Sequence, residues 1–206
     1  MTENKRLGGW QFWVDLYDDY VIKTPKNRNE IKEEVEKFLR WKNKLDELNE
    51  RTDKMIFDIK NATKIIKKSK IPKRYLANIE FLEDGKIKQK RVKSLDGVLK
   101  KLSKKQRLEL IDKIAKFLLE MWKYGIHEYT YKVFSNLGLK KERIVFIDPF
   151  EITSNKNKVL KQIKKQKWAK PEKYQKHLSD NEIDYLMTKL KKTFTQKNLN
   201  KYWKTK

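Results

Sequence analysis

Hydrophobic positions change their period three times along the chain. Residues 6–23 crowd aromatic and β-branched side chains together, among them Trp10, Phe12, Trp13, Val14, Tyr20, Val21 and Ile22. This spacing predicts two or three short strands, with Gly8-Gly9 and Asp18-Asp19 as turns and Pro25 as the stop. From Asn29 the period becomes helical. Ile31, Val35, Phe38, Leu39, Leu45 and Leu48 fall on one stripe with glutamates and lysines between them. The stripe predicts a helix over about 29–49, with Asn29 as N-cap and acids in the first turn.

Residues 53–59 and 75–82 read as further strands, from Met55, Ile56, Phe57 and Ile59 and then from Tyr75 to Leu82. Glu83-Asp84-Gly85 predicts a hairpin turn and 86–92 the return strand. A short helix is expected over 94–102. Ser103 caps a longer one over about 104–124, with Leu108, Ile111, Ala115, Leu118, Leu119 and Trp122 inward and Gly125 as its end. Residues 126–135 read as a loop, 136–139 as a turn and 143–148 as a short buried strand broken by Pro149-Phe150. Residues 155–206 read as helical and basic, with a capping box at Ser179-Asp-Asn-Glu182. The pattern predicts an α+β, two-lobed layout: a β-rich part with one long helix over 1–93, then a mainly helical part over 94–206 with a small β element.

The chain has 206 residues, enough for one domain or two small lobes on one core. Only 38% is apolar, and six Trp, nine Tyr and nine Phe make up the deficit because each ring buries a large area. The absence of Cys excludes disulfides, thiolate metal sites and a Cys nucleophile. Two histidines, His127 and His177, argue against a His-based zinc centre. No apolar run approaches the roughly 18 residues of a membrane span. Met1 to Gly8 has no apolar leader segment, so a cytoplasmic protein without membrane contact is expected.

The net charge of +24 suits a polyanionic partner through counterion release. Lysines spread along the whole chain, beside abundant Asn and Ile, equally suit plain solvated faces. The densest basic segments are 64–74 and 156–176. The second interleaves Trp168 and Tyr174 with lysines. That pattern fits base stacking with phosphate contact, or a helix docking its aromatic side and exposing its lysines. Trp10, Trp13 and Trp122 read as core residues, although Trp10 or Phe12 at a loop tip would also serve to cover a ligand.

Three pieces carry candidate chemistry. Tyr20-Val-Ile-Lys23 ends a strand with a lysine ahead of a glutamate-rich helix. Asn136 follows the 126–135 loop. Ile144-Val-Phe-Ile-Asp148-Pro-Phe places an acid at the end of a buried strand, which is costly unless the acid meets a cation. Asn136 and Asp148 lie twelve residues apart, joined by a turn and a strand that return both to one edge. An amide oxygen and a carboxylate so placed are suitable hard ligands for Mg²⁺.

In this order and spacing, residues 6–153 resemble the protein-kinase-like family. The resemblance implies that Lys23, in Val-Ile-Lys, holds the ATP phosphates and pairs with Glu30 or Glu34 on the next helix. It implies that Gly9 and Val14 belong to a glycine-rich loop over the nucleotide, although Leu7 and Phe12 stand at its other glycine positions. Asn136 matches the catalytic-loop asparagine and Asp148 the D-F-G acid, written here Asp-Pro-Phe. Tyr131 stands where the family carries its catalytic Asp, and Val133 where a basic residue follows two positions later. Glu128 is the nearby acid left to serve as a base, in a His127-Glu128 pair that faintly follows the H-R-D order. A long activation loop is absent.

Three functions compete on these grounds. One is a small ATP- and Mg²⁺-dependent phosphotransferase acting on a protein or small molecule. The second is a pseudokinase-type scaffold, which Tyr131 favours. The third is a basic nucleic-acid-binding protein.

Overall fold

The computed structural model describes residues 5–204. Strands β1 (Lys5–Gly8), β2 (Phe12–Leu16) and β3 (Tyr20–Pro25) form an antiparallel meander, as the first stretch of sequence predicts. Gly9 N–H donates to the Phe12 carbonyl at 2.9 Å and closes the first turn. Helix α1 (Arg28–Lys42) follows at once. Its N-cap is Asn27 rather than Asn29. Asn27 takes the Glu30 amide, and the Glu30 carboxylate takes the Asn27 amide. The helix ends before the expected residue 49 because Asn43 turns left-handed, with φ 52°.

A one-turn 3-10 segment, Leu45–Glu47, leads into α2 (Leu48–Lys68). This helix replaces the strand expected over 53–59. Thr52, Met55, Ile56, Ile59, Ala62 and Ile66 recur at helical spacing and face α1 and the core, while Phe57 is left exposed. The local cluster Met55-Ile56-Phe57 mimics a strand, but the burial available to the longer stripe decides the outcome. Two helices therefore stand where one was expected.

The strand expected over 75–82 is also mostly absent. A 3-10 turn, Lys73–Leu76, passes through Ala77 and Asn78, both at positive φ, into the two-residue β4 (Glu80–Phe81). Gly85 turns the hairpin at φ 79° into β5 (Ile87–Lys90). In β5, Ile87 and Gln89 point inward and the lysines outward. The five strands order as β1-β2-β3-β5-β4, and every pairing is antiparallel. Lys23 therefore lies on the central strand, opposite Val14 on one side and Ile87 on the other.

β6 (Lys93–Ser94) and the short α3 (Leu95–Leu99) precede α4 (Lys104–Trp122), which carries the capping box Ser103/Gln106. Gly125, at φ 65°, ends this helical stretch as expected. β7 (His127–Glu128) and α5 (Val133–Asn136) replace the loop predicted there. β8 (Leu137–Lys140) and β9 (Arg143–Phe146) form a hairpin beside β6. β10 (Ile152–Thr153) pairs with β7. α6 (Lys156–Lys164), α7 (Asp180–Thr193) and α8 (Gln196–Tyr202) complete the chain. The fold is α+β with antiparallel sheets.

One large apolar cluster runs from Phe12 through α4 to Trp203, and a small one holds Ile31, Val35 and Leu39. Trp168 and Tyr174 belong to the large cluster at 2% and 1% exposure. The stacking reading of the 156–176 segment therefore does not hold, because both rings are spent on the core. Trp122 is fully buried, but Trp10 is 45% exposed and is not a core residue. No helix among the described residues is long and apolar enough to cross a membrane.

Candidate functional site

A cleft of about 730 Å³ opens between the β1–β2 turn, α1 and α2 on one side and the 129–151 segment on the other. Five of the candidate binding residues expected from sequence line it, Gly9, Val14, Lys23, Asn136 and Asp148, and so do Trp10 and Phe12. The β8–β9 hairpin accounts for two of them. Its register pairs Leu137 with Phe146, so the residues flanking it meet. The Asn136 carbonyl accepts the amides of Ile147 at 3.0 Å and Asp148 at 3.1 Å. The twelve-residue spacing thus closes on itself, as expected.

Lys23 reaches this corner from the central strand. Its Nζ donates to the Ile147 carbonyl at 2.6 Å and lies 3.5 Å from Asp148 Oδ1. The Phe12 and Phe150 rings, 4.6 Å apart, flank the ammonium at 5.8 and 5.5 Å. Lys23 is 7% exposed, whereas the Asp148 side chain is 43% exposed and open to the cleft. The acid at the strand end meets its cation.

The expected pairing of Lys23 with Glu30 or Glu34 is not made. Glu30 accepts from Trp13 Nε1 at 2.8 Å and from the Asn27 amide at 2.7 Å. Glu34 takes Lys26 Nζ at 3.1 Å and Lys37 Nζ at 3.3 Å. Lys26 lies just past the end of β3 and turns to α1, packing its ammonium 4.2 Å from the Trp13 ring. Lys23, within the strand, turns to the cleft. Neither glutamate lines the cleft.

Behind the cleft wall lies Glu128, 1% exposed. Its carboxylate accepts the amides of Thr130 at 3.1 Å and Tyr131 at 2.6 Å, and the Thr130 hydroxyl. Burial pushes this carboxyl up to about 7. The Thr130 hydrogen bond resists the rise and the charge of Glu151 adds to it. Asn136 Nδ2 donates to Glu151 Oε2 at 2.9 Å and lies 3.4 Å from Glu128 Oε1. Both carboxylate contacts of Asn136 use the amide nitrogen, which leaves the amide oxygen out of the hydrogen bonds of this cluster.

His127 and Tyr131 are structural. His127 Nδ1 accepts from Trp122 Nε1 at 3.1 Å, so Nε2 carries the proton and donates to the Tyr131 hydroxyl at 3.0 Å. Burial lowers the His127 pKa to about 3 and holds the ring neutral. Tyr131 is 1% exposed at φ 59°, with its ring against Trp168 and Phe194. No acid can be offered from that position.

Sequence reasoning missed Glu151, Thr130, and Arg51, Lys54 and Asp58 of α2, all of which line the cleft. The α2 residues were hidden by the strand assignment over 53–59. Glu151 had a signal: an acid one residue past Pro149-Phe150, beside a strand already thought to end at a site. Among the described residues, no cluster of three or more His, Asp or Glu is arranged to hold a metal ion. A scan against models of known protein families returns no match, and a search of curated proteins returns none either.

Proposed function

We propose that this chain is a kinase-like protein that binds ATP with Mg²⁺ in the cleft and passes the terminal phosphoryl group to an acceptor. The observation that carries the reading is the meeting of Lys23 and Asp148, 125 positions apart, beside Asn136 in one cleft. A buried lysine on a central antiparallel strand, a carboxylate open to the cleft and an amide oxygen form a compact set for phosphate and a hard cation. The five-strand order with Lys23 at its centre, followed directly by a helix, supports a two-lobed arrangement. Its first part, up to about residue 93, would hold the five-stranded sheet with α1 and α2, and its second part, from 94, would be mainly helical.

Each residue then has a defined task. Lys23 binds phosphate oxygens when it leaves the Ile147 carbonyl. Asp148 and Asn136 fit Mg²⁺, which commonly takes one or two protein ligands and completes its shell with phosphate and water. Mg²⁺ would neutralise charge building on the phosphates. Gly9 keeps the β1–β2 turn tight at the mouth of the cleft, since a Cβ there would meet the Phe12 carbonyl at 3.2 Å. Glu128 supplies the carboxylate that Tyr131 cannot. The burial of Tyr131 at that position also supports a second reading, a nucleotide-binding scaffold without turnover.

A thermal-shift titration with Mg²⁺-ATP tests the proposal. At 100-fold the dissociation constant, a native-state ligand adds about 2.7 kcal/mol, or roughly 5–10 °C for a chain of this size. We expect that shift in the wild type and its loss in Lys23→Met and Asp148→Asn. A wild type that does not shift would sink both nucleotide readings. A shift without phosphoryl transfer to any acceptor, water included, would leave the scaffold.

A further inference from the structure

We propose that Thr130 is a phosphoryl acceptor within the chain itself, a self-modification site on the wall of the cleft. The proposal rests on the nucleotide-binding reading above.

Three hydroxyl-bearing residues line the cleft: Tyr129, Thr130 and Ser135. They differ in what faces the hydroxyl. Ser135 Oγ donates to the Lys132 backbone carbonyl at 3.2 Å, a group that does not take up a proton. The Tyr129 hydroxyl faces the Asp58 carboxylate of α2 rather than Asn136 or Asp148, with Lys158 Nζ 3.9 Å from its ring. Thr130 alone is tied to both. Its Oγ1 contacts the Glu128 carboxylate and lies 3.1 Å from Glu151 Oε2. The same Glu151 oxygen takes Asn136 Nδ2 at 2.9 Å, and the Asn136 carbonyl takes the Asp148 amide at 3.1 Å. One continuous network therefore joins the Thr130 hydroxyl to the residues assigned to Mg²⁺.

The position of Glu128 makes the case stronger. It is fully enclosed and anchored by the amides of Thr130 and Tyr131. A hydroxyl arriving from solution would have to displace Thr130 to reach it. The hydroxyl that this carboxylate serves is the one already in contact with it.

The step balances. Thr130 Oγ1 forms a bond to the γ-phosphorus, and the bond from that phosphorus to the β,γ-bridging oxygen breaks. Its electron pair leaves with the nucleoside diphosphate, and the hydroxyl proton passes to Glu128. Nothing is oxidised or reduced. Lys173 Nζ, 2.8 Å from the Thr130 carbonyl, and Lys132 stand close by to meet the new charge. Glu151 repels it, so modification breaks the Thr130–Glu151 contact.

The test uses full-length protein stripped by a phosphatase and then incubated with Mg²⁺-ATP. Intact mass and peptide mapping follow for wild type, Thr130→Ser, Thr130→Val and Ser135→Ala. In parallel, each protein is titrated with a non-hydrolysable ATP analogue and its melting temperature read. We expect one phosphoryl group per chain at position 130 in wild type, Thr130→Ser and Ser135→Ala, and none there in Thr130→Val. All four should shift with the analogue, which also shows that the variants fold. Wild type that shifts with the analogue but gains no phosphoryl group, or gains it elsewhere, overturns the assignment and spares the nucleotide reading. Absence of any shift in wild type overturns that reading, and this inference with it.

Discussion

Glu128 and His127 are neighbours, both sealed from water, and they titrate with opposite consequences. The Glu128 carboxyl, pushed up to about 7, keeps its proton in the native state where the unfolded chain has lost it. Its contribution to stability is full below about pH 4.5 and disappears as pH rises through about 7. His127, lowered to about 3, stays neutral where the unfolded chain is protonated, so its contribution is lost as pH falls from about 6.5 toward 3. Between about pH 4.5 and 6.5 the two slopes oppose each other. Glu128→Gln should remove one of them. The stability of wild type relative to this variant should fall by about 3 kcal/mol between pH 4.5 and 8. Urea midpoints across that range would decide it, and parallel profiles would refute it. At this scale the sequence revealed Lys23, Asn136 and Asp148 through their order along the chain. It did not reveal that Lys26, rather than Lys23, takes Glu34, because Lys26 lies one residue past the end of β3, where strand alternation no longer fixes the direction of a side chain.

At the level of elements, capping signals were legible and strand assignments less so. Ser103 and Ser179 cap the helices they were expected to cap. The α1 cap moved by two residues to Asn27, which makes a discriminating pair of variants. Asn27→Ala should cost about 1 kcal/mol, whereas Asn29→Ala, exposed and inside the helix, should stay within about 0.5 kcal/mol. Equal losses in chemical denaturation would argue against the capping box. Gly138 holds the β6–β8 approach. A Cβ there would lie 2.7 Å from the Lys93 carbonyl and 2.8 Å from both Ile147 and Val92. Gly138→Ala should therefore cost about 1–3 kcal/mol through overpacking, and it should disturb the Asp148 corner before the rest of the fold. A variant as stable as wild type would show that the hairpin shifts freely. The miss at 53–59 has a plain cause. Three consecutive strand-compatible residues, Met55-Ile56-Phe57, outweighed a helical stripe that only a partner helix makes visible, since α2 packs against α1.

For the whole molecule, the charge of +24 and the burial of the aromatics bear on different questions. The large cluster draws on Trp122, Trp168, Tyr174 and Phe194, and this is how a chain only 38% apolar assembles a core. Trp168→Ala should cost about 3–5 kcal/mol of stability. If the ring instead served a nucleic acid, the variant would melt like wild type and lose only that binding. Any polyanion affinity of the lysine-rich surface should fall steeply with salt, because it arises from counterion release rather than from stacking. The Mg²⁺-ATP shift should persist when salt is raised, since Lys23 is enclosed and little screened.

Local pattern alone carried the antiparallel opening strands, the Ser103 and Ser179 caps and the ordered appearance of a strand lysine, a loop asparagine and a strand-end acid. These depend on period, turn chemistry and spacing, which the chain states within a few residues. Packing alone decided that 53–59 is helical, that Trp168 and Tyr174 are core, and that Lys23 meets Asp148 instead of a helix glutamate. It also brought Thr130, Glu128, Glu151 and Asn136 into one network. Those outcomes depend on which distant segment fills the facing volume, and burial energy outweighs local propensity wherever the two disagree.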